Sequence, residues 1–259
     1  MALPLILSTR LTRRFFLHGL VAGMAPASLW AQGQAFRLSD KTTQAIVGLA
    51  DGWDSTSVRL QRYERAPGGA WKPAGAAWGG RLGASGLVWG RGLNPAPPNV
   101  RLKREDDKRA PAGVFGLGGA CGYEADIARH PALPYFQVTE RDLWVEDVES
   151  PHYNRHLRLE RAPRTEWEKK QQMRQGDYSH SLKLFVLHNA PPRVTPGGGS
   201  AIFFHIWRAG GGRASIGCTT MAEPALREMI RWLDPARLPV YILLPREEYA
   251  SRRRSWALP

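Results

Sequence analysis

Gly199-Ser200-Ala201-Ile202-Phe203-Phe204-His205-Ile206-Trp207-Arg208-Ala209-Gly210-Gly211-Gly212-Arg213-Ala214-Ser215-Ile216-Gly217-Cys218-Thr219-Thr220-Met221 is the stretch from which the rest of the chain can be read. As a strand from Ser200 to Trp207 it places Ile202, Phe204 and Ile206 on one face and Ala201, Phe203, His205 and Trp207 on the other. His205 falls near the strand's end. Ala209-Gly210-Gly211-Gly212 then forms a flexible connection to Ser215-Ile216-Gly217-Cys218. A glycine directly before a cysteine lets the backbone turn tightly, so that two successive amides could point at an oxygen beside the sulfur. A free thiol has a pKa of about 8.5, and a nearby imidazole or helix N-terminus lowers it towards a usable thiolate. Cys218 is therefore the expected nucleophile and His205 its base, with Ser215 bracing the loop through its hydroxyl or serving only as a turn residue.

Outward from this stretch, Val58 to Tyr63 alternates apolar with polar and ends at Ala66-Pro67-Gly68-Gly69, as a strand with one buried face should. Ser181 to Leu187 reads as a strand, Pro191 to Gly199 as a turn or lid, and Val240 to Leu244 as a buried closing strand. Leu226, Met229, Ile230 and Leu233 share one face of a helix with Pro224 in its first turn. Glu160 to Arg174 is expected to be a peripheral helix, and the charges of Lys103 to Arg109 a solvated loop ahead of Val114. With 27 glycines and 20 prolines among 259 residues, short strands joined by turns are favoured over a helical bundle. The fold class is mainly β, with a few peripheral helices.

The leader sets the compartment. Arg13-Arg14 precede an apolar run from Phe15 to Trp30, and Ala25, Ala27 and Ala31 supply small residues for cleavage, so residues 1–31 read as a twin-arginine signal and residues 36–259 as a single catalytic domain. The run is broken by His18, Gly19, Gly23 and Pro26, so no stable membrane span is expected. The net charge of +13 suits an anionic polymer. No zinc-finger spacing, RNP-like signature or recognition helix points to nucleic acid, which leaves the carboxylates of the cell wall as the better environment. Export to an oxidising space allows a Cys121–Cys218 bridge, but the setting of Cys218 argues for a free thiol. Cys121 is expected to be a small buried residue near a turn. His152, His156 and His180 lack ligand spacing with carboxylates, so neither metal nor other cofactor is expected.

The histidine upstream of a Ser-x-Gly-Cys core resembles the active-site signature of the L,D-transpeptidases of YkuD type. The likeness extends to Pro111-Ala112-Gly113-Val114-Phe115, Ser150-Pro151-His152-Tyr153-Asn154, the Ser181–Asn189 strand and Gly199 to Phe203, and so to most of the chain after the leader. The resemblance implies a β-sandwich or barrel-like catalytic domain in the periplasm, monomeric and wall-associated. It also implies an acyl-enzyme on Cys218, the Gly217 and Cys218 amides as oxyanion donors, and transfer of a peptidoglycan stem to the side-chain amine of a meso-diaminopimelate. Trp207, Arg208, Tyr178 and His188 are candidates to line the substrate cleft. Where many members carry a histidine before the Gly-Cys pair and Arg or Asn two places after the cysteine, this chain has Ile216 and Thr219-Thr220. The bond opened is therefore left open between 3-3 and 1-3 crosslinking, and hydrolysis of a crosslink or protein tether, or wall binding without chemistry, are the competing readings. A papain-like protease fits less well, because there the cysteine precedes the histidine.

Overall fold

A computed structural model describes residues 36–259, which form one compact unit; the twin-arginine signal and its cleavage site lie outside the described residues. Eight strands carry the architecture: β1 (Gln44–Ala50), β2 (Ser57–Glu64), β3 (Trp78–Arg81), β4 (Ala110–Gly122), β5 (Leu182–Val186), β6 (Phe203–Ile206), β7 (Thr219–Met221) and β8 (Val240–Pro245). They pair in the order β1-β8-β4-β5-β6-β7-β3-β2, and β2 pairs back onto β1, so the sheet closes into a barrel. Closure removes the exposed edges that an open sheet would present. The β1–β8 and β6–β7 pairs are parallel and the rest of the ring is antiparallel.

The sequence dictates which strands are enclosed. All six residues of β8 are buried, as are six of the seven in β1, and both read as nearly continuous apolar runs, whereas β2 alternates and buries Val58, Leu60 and Arg62. Leu60, Phe115, Leu184, Phe204, Met221 and Tyr241 belong to the main core. Helix α2 (Glu223–Trp232) adds Leu226, Met229 and Ile230, each fully buried, with Pro224 in its first turn as the spacing required. Burying each of these side chains contributes about 1.5–3 kcal/mol.

A second, smaller core lies on the other face of β4, β5 and β6, where Cys121 and Phe203 pack with Val138, Trp144 and Met173. A short hairpin, Asp142–Trp144 paired with His156–Arg158, covers this face, and Trp144 sits 4.5 Å from Phe185 and 4.8 Å from Phe203 between ring centroids.

Three expectations need correction. The strand expected from Ser200 begins only at Phe203, because Ala201 adopts a left-handed φ of 52° that no strand accommodates. The helix expected over 160–174 is one short turn-and-a-half, α1 (Glu166–Lys170), closed by a Thr165 capping box. The charged 103–109 run is not wholly solvated: Lys103 and Asp107 form an ion pair with side chains only 3% and 4% exposed. Among the described residues no helix is long and apolar enough to cross a membrane.

Candidate active site

The register assembles a row of chemistry on the small-core face. Cys121 of β4 pairs with Lys183 of β5, Lys183 with His205 of β6, and His205 with Thr220 of β7. Paired residues point the same way, so these four side chains lie side by side across the sheet. Continuing the β6–β7 register by one step sets Cys218 opposite Phe203, which makes Cys218 and His205 diagonal neighbours on one face of the sheet. Both line one cleft of about 490 Å³, together with Ser215, Gly217, Lys103, Lys183 and Arg208. Both cysteines are free: Cys121 is buried and Cys218 is partly exposed.

The sulfur is seated on the turn that precedes β6. The Phe203 amide donates to Cys218 Sγ at 3.3 Å, and the thiol donates to the Ala201 carbonyl at 3.4 Å. An amide aimed at sulfur favours the thiolate, but burial dominates and pushes the thiol up to about 11. His205 lies within hydrogen-bond range of the carbonyl of Ile206, 2.8 Å from Nδ1, which fixes the proton on Nδ1 and leaves Nε2 as the acceptor. Burial holds this ring down to about 3, against the smaller favourable pull of the Ile206 and Ser179 backbones. Both shifts favour the neutral forms, thiol and neutral imidazole, over a preformed thiolate–imidazolium pair. The proton has to move as the bond to carbon forms, once Sγ swings from Ala201 towards Nε2.

Of the two readings open to Ser215, the hydroxyl brace is the one formed: its Oγ donates to the Cys218 carbonyl at 2.6 Å and accepts from the Gly217 amide at 3.0 Å. That second bond occupies one of the two amides expected to hold an oxyanion, so the Cys218 amide is the remaining loop donor. Gly217 takes φ 152°, and an added Cβ would lie 3.3 Å from both the Arg109 carbonyl and Ile202 Cδ1. Gly217→Ala is expected to cost about 1–3 kcal/mol of stability through backbone strain and to lower acylation at least tenfold; unchanged urea midpoint and rate would refute this account of the loop.

His180, for which the sequence offers no role, stacks its ring on His205 with centroids 4.8 Å apart. It is held by Asp177, whose Oδ1 lies 2.7 Å from His180 Nδ1 and whose Oδ2 accepts from Arg208 at 2.7 Å. Asn154 is the other residue that local pattern could not single out. Its Oδ1 accepts from Trp144 Nε1 and the Ala201 amide, both at 3.0 Å, while its Nδ2 donates to the carbonyls of His188 and Asn189. Asn154 thus fixes the strained Ala201 whose carbonyl receives the thiol.

Of the four expected substrate contacts, Arg208 alone reaches the cleft wall. Trp207 lies past the end of β6, packs against the main core and covers Gly211. Tyr178 is 62% exposed outside the cleft and donates to Glu223. His188 is completely enclosed against Phe115, its Nδ1 accepting from the Arg91 amide and its Nε2 facing the Gly198 carbonyl, so it has no ring nitrogen left for a substrate.

His188, like His205, is driven by burial down to about 3. An unfolded histidine takes its proton near pH 6.5, so between about pH 6.5 and 3 the unfolded chain binds more protons than the folded one. The stability these neutral rings confer is present above about pH 6.5 and is lost as the pH falls through the window, by up to about 1.4 kcal/mol per unit and ring. Urea midpoints measured from pH 7 to pH 4 should fall accordingly; a flat profile would contradict the enclosure of both rings.

No family model and no curated protein matches the chain. Among solved structures it is similar to Bd1075 of Bdellovibrio bacteriovorus, at 11% sequence identity and a TM-score of 0.40, over 86% of this chain and 58% of that one. The chain thus spans less than two thirds of that protein's length.

Proposed function

We propose that the chain is an exported cysteine-dependent L,D-transpeptidase with a YkuD-type catalytic domain, acting on peptidoglycan stem peptides in the periplasm. The observation that carries this reading is the placement of Cys218 and His205 as diagonal neighbours in one cleft, with the imidazole's Nε2 free to accept a proton. The leader's arginine pair supports the periplasmic placement, and the basic surface suits an anionic wall.

In the first half-reaction the thiol proton passes to His205 Nε2 as sulfur adds to a stem carbonyl, and the Cys218 amide receives the developing oxyanion. The C–N bond breaks, the leaving amine takes the proton from His205, and a thioester remains. A diaminopimelate side-chain amine then gives its proton to His205 and adds to the thioester, and the released sulfur is reprotonated. Hydrolysis differs only in that water replaces the amine.

Incubation with purified muropeptides tests the reading. Crosslinked dimers should form with the intact protein and not with Cys218→Ala. The same products from both proteins would overturn it, and water in place of the amine in the product, read by mass spectrometry, would assign the chain to stem-peptide hydrolysis.

A further inference from the structure

Lys183 has no counterpart in the mechanism above, yet it occupies the middle of the cleft's chemical row, between Cys121 and His205. Lys183 is 4% exposed and its ammonium carries three donors, of which the Met173 carbonyl takes one at 3.0 Å. The Phe203 ring faces the charge with its centroid 5.6 Å away. The carboxylates that face it, Asp177 and Glu146, form no ion pair with it, and Asp177 is already held by His180 and Arg208. The contrast with the neighbouring lysine is direct: Lys103, equally buried in the same lining, has Asp107 and the Arg104 carbonyl as partners. A buried ammonium without an anion is costly unless something else supplies one.

One further group of the same cleft lacks a partner. Thr220 Oγ1 is buried and makes no hydrogen bond among the described residues, and Thr220 stands beside His205 on the side away from Lys183. Among the described residues the cleft thus holds one buried cation without an anion and, beside the imidazole, one buried hydroxyl without a partner, an arrangement completed by an anionic, hydrogen-bonding ligand.

We propose that Lys183 is the receptor for a carboxylate of the acyl donor, pairing with it beside His205 so that the scissile carbonyl is presented to Cys218. The inference rests on the reading of Cys218 as an acylated nucleophile, and it names the feature that selects the donor. Burial depresses the Lys183 ammonium, and an arriving carboxylate restores its charge. The same charge faces Cys218 and favours its thiolate.

The test compares a stem tetrapeptide with its carboxamide analogue. Acylation of Cys218 is followed by intact mass in the wild-type chain and in Lys183→Met, and equilibrium binding of both peptides is measured on Cys218→Ala with and without Lys183→Met. The wild type should acylate the carboxylate form about 10–100-fold faster than the amide, the size expected of a hydrogen bond to a charged group. Lys183→Met should erase that preference, the two peptides then reacting at one common rate, and the binding preference should vanish with it. Equal rates and equal binding for the two peptides in the wild type, or a preference that survives Lys183→Met, would overturn the proposal. Acylation without discrimination leaves the nucleophile's role standing and removes the receptor. Discriminating binding without any acylation retains the receptor and removes the nucleophile's role.

Discussion

Replacing Cys218 by serine is expected to lower muropeptide turnover by about 10⁴-fold or more. The substitution changes one atom, leaves the Ser215 brace and the Gly217 turn intact, and so separates chemistry from folding. An alcohol is a far weaker acid than a thiol, and the site does little to ionise it. The Phe203 amide is the sulfur's direct donor, and burial already opposes the charged form. Turnover by Cys218→Ser within tenfold of the wild type, with an unchanged urea midpoint, would mean that the sulfur is not the attacking atom.

Removing the imidazole is expected to be nearly as severe, but with a different signature. His205→Gln should reduce acylation by stem peptide about 10²–10⁴-fold, the usual contribution of a positioned base. Because burial leaves His205 neutral and the thiol pushed up to about 11, the free protein's reaction with iodoacetamide should climb steadily as pH rises through 8 and 9. It should change little in His205→Gln, since a small alkylating agent draws on the thiolate present and not on proton transfer to His205. A plateau of fast alkylation at neutral pH that disappears in His205→Gln would instead mean a preformed thiolate–imidazolium pair.

The parts of this site visible in the sequence were those with a local cause. Val58 to Tyr63 alternated and became β2; Leu226, Met229 and Ile230 recurred at helix spacing and became the buried face of α2. Ser215 lies two residues from the amide it braces and three from the carbonyl, so bracing was one of the two local readings open to it beside a plain turn residue. Strand alternation also put Phe203 and His205 on one face, opposite Phe204.

What stayed hidden depends on distant segments. Asn154 reaches Ala201 across 47 positions, and the left-handed Ala201 that shortens the strand is intelligible only with that contact in view. Lys103 and Asp107 looked like ordinary surface charge because their spacing carries no information about the loop that encloses them. Lys183 sat inside an apolar run, where alternation could place it on a face but not say what lay opposite. Tyr178, His188 and Trp207 are cleft candidates in the sequence because aromatic and cationic groups suit a carboxylate-bearing sugar-peptide, with surface or packing roles at strand ends as the competing reading; side-chain direction and enclosure are set by tertiary packing and place them outside the cleft.

A mass measurement on the intact protein bears most directly on the central claim. The protein with residues 1–31 removed is incubated with defined tri-, tetra- and pentapeptide muropeptides, quenched in acid and weighed, and the modified peptide is then mapped. The expected result is a mass gain equal to a stem acyl group for at least one donor, located on Cys218 and absent from Cys218→Ala. No gain with any donor, or an adduct that persists when Cys218 is alanine, would contradict it.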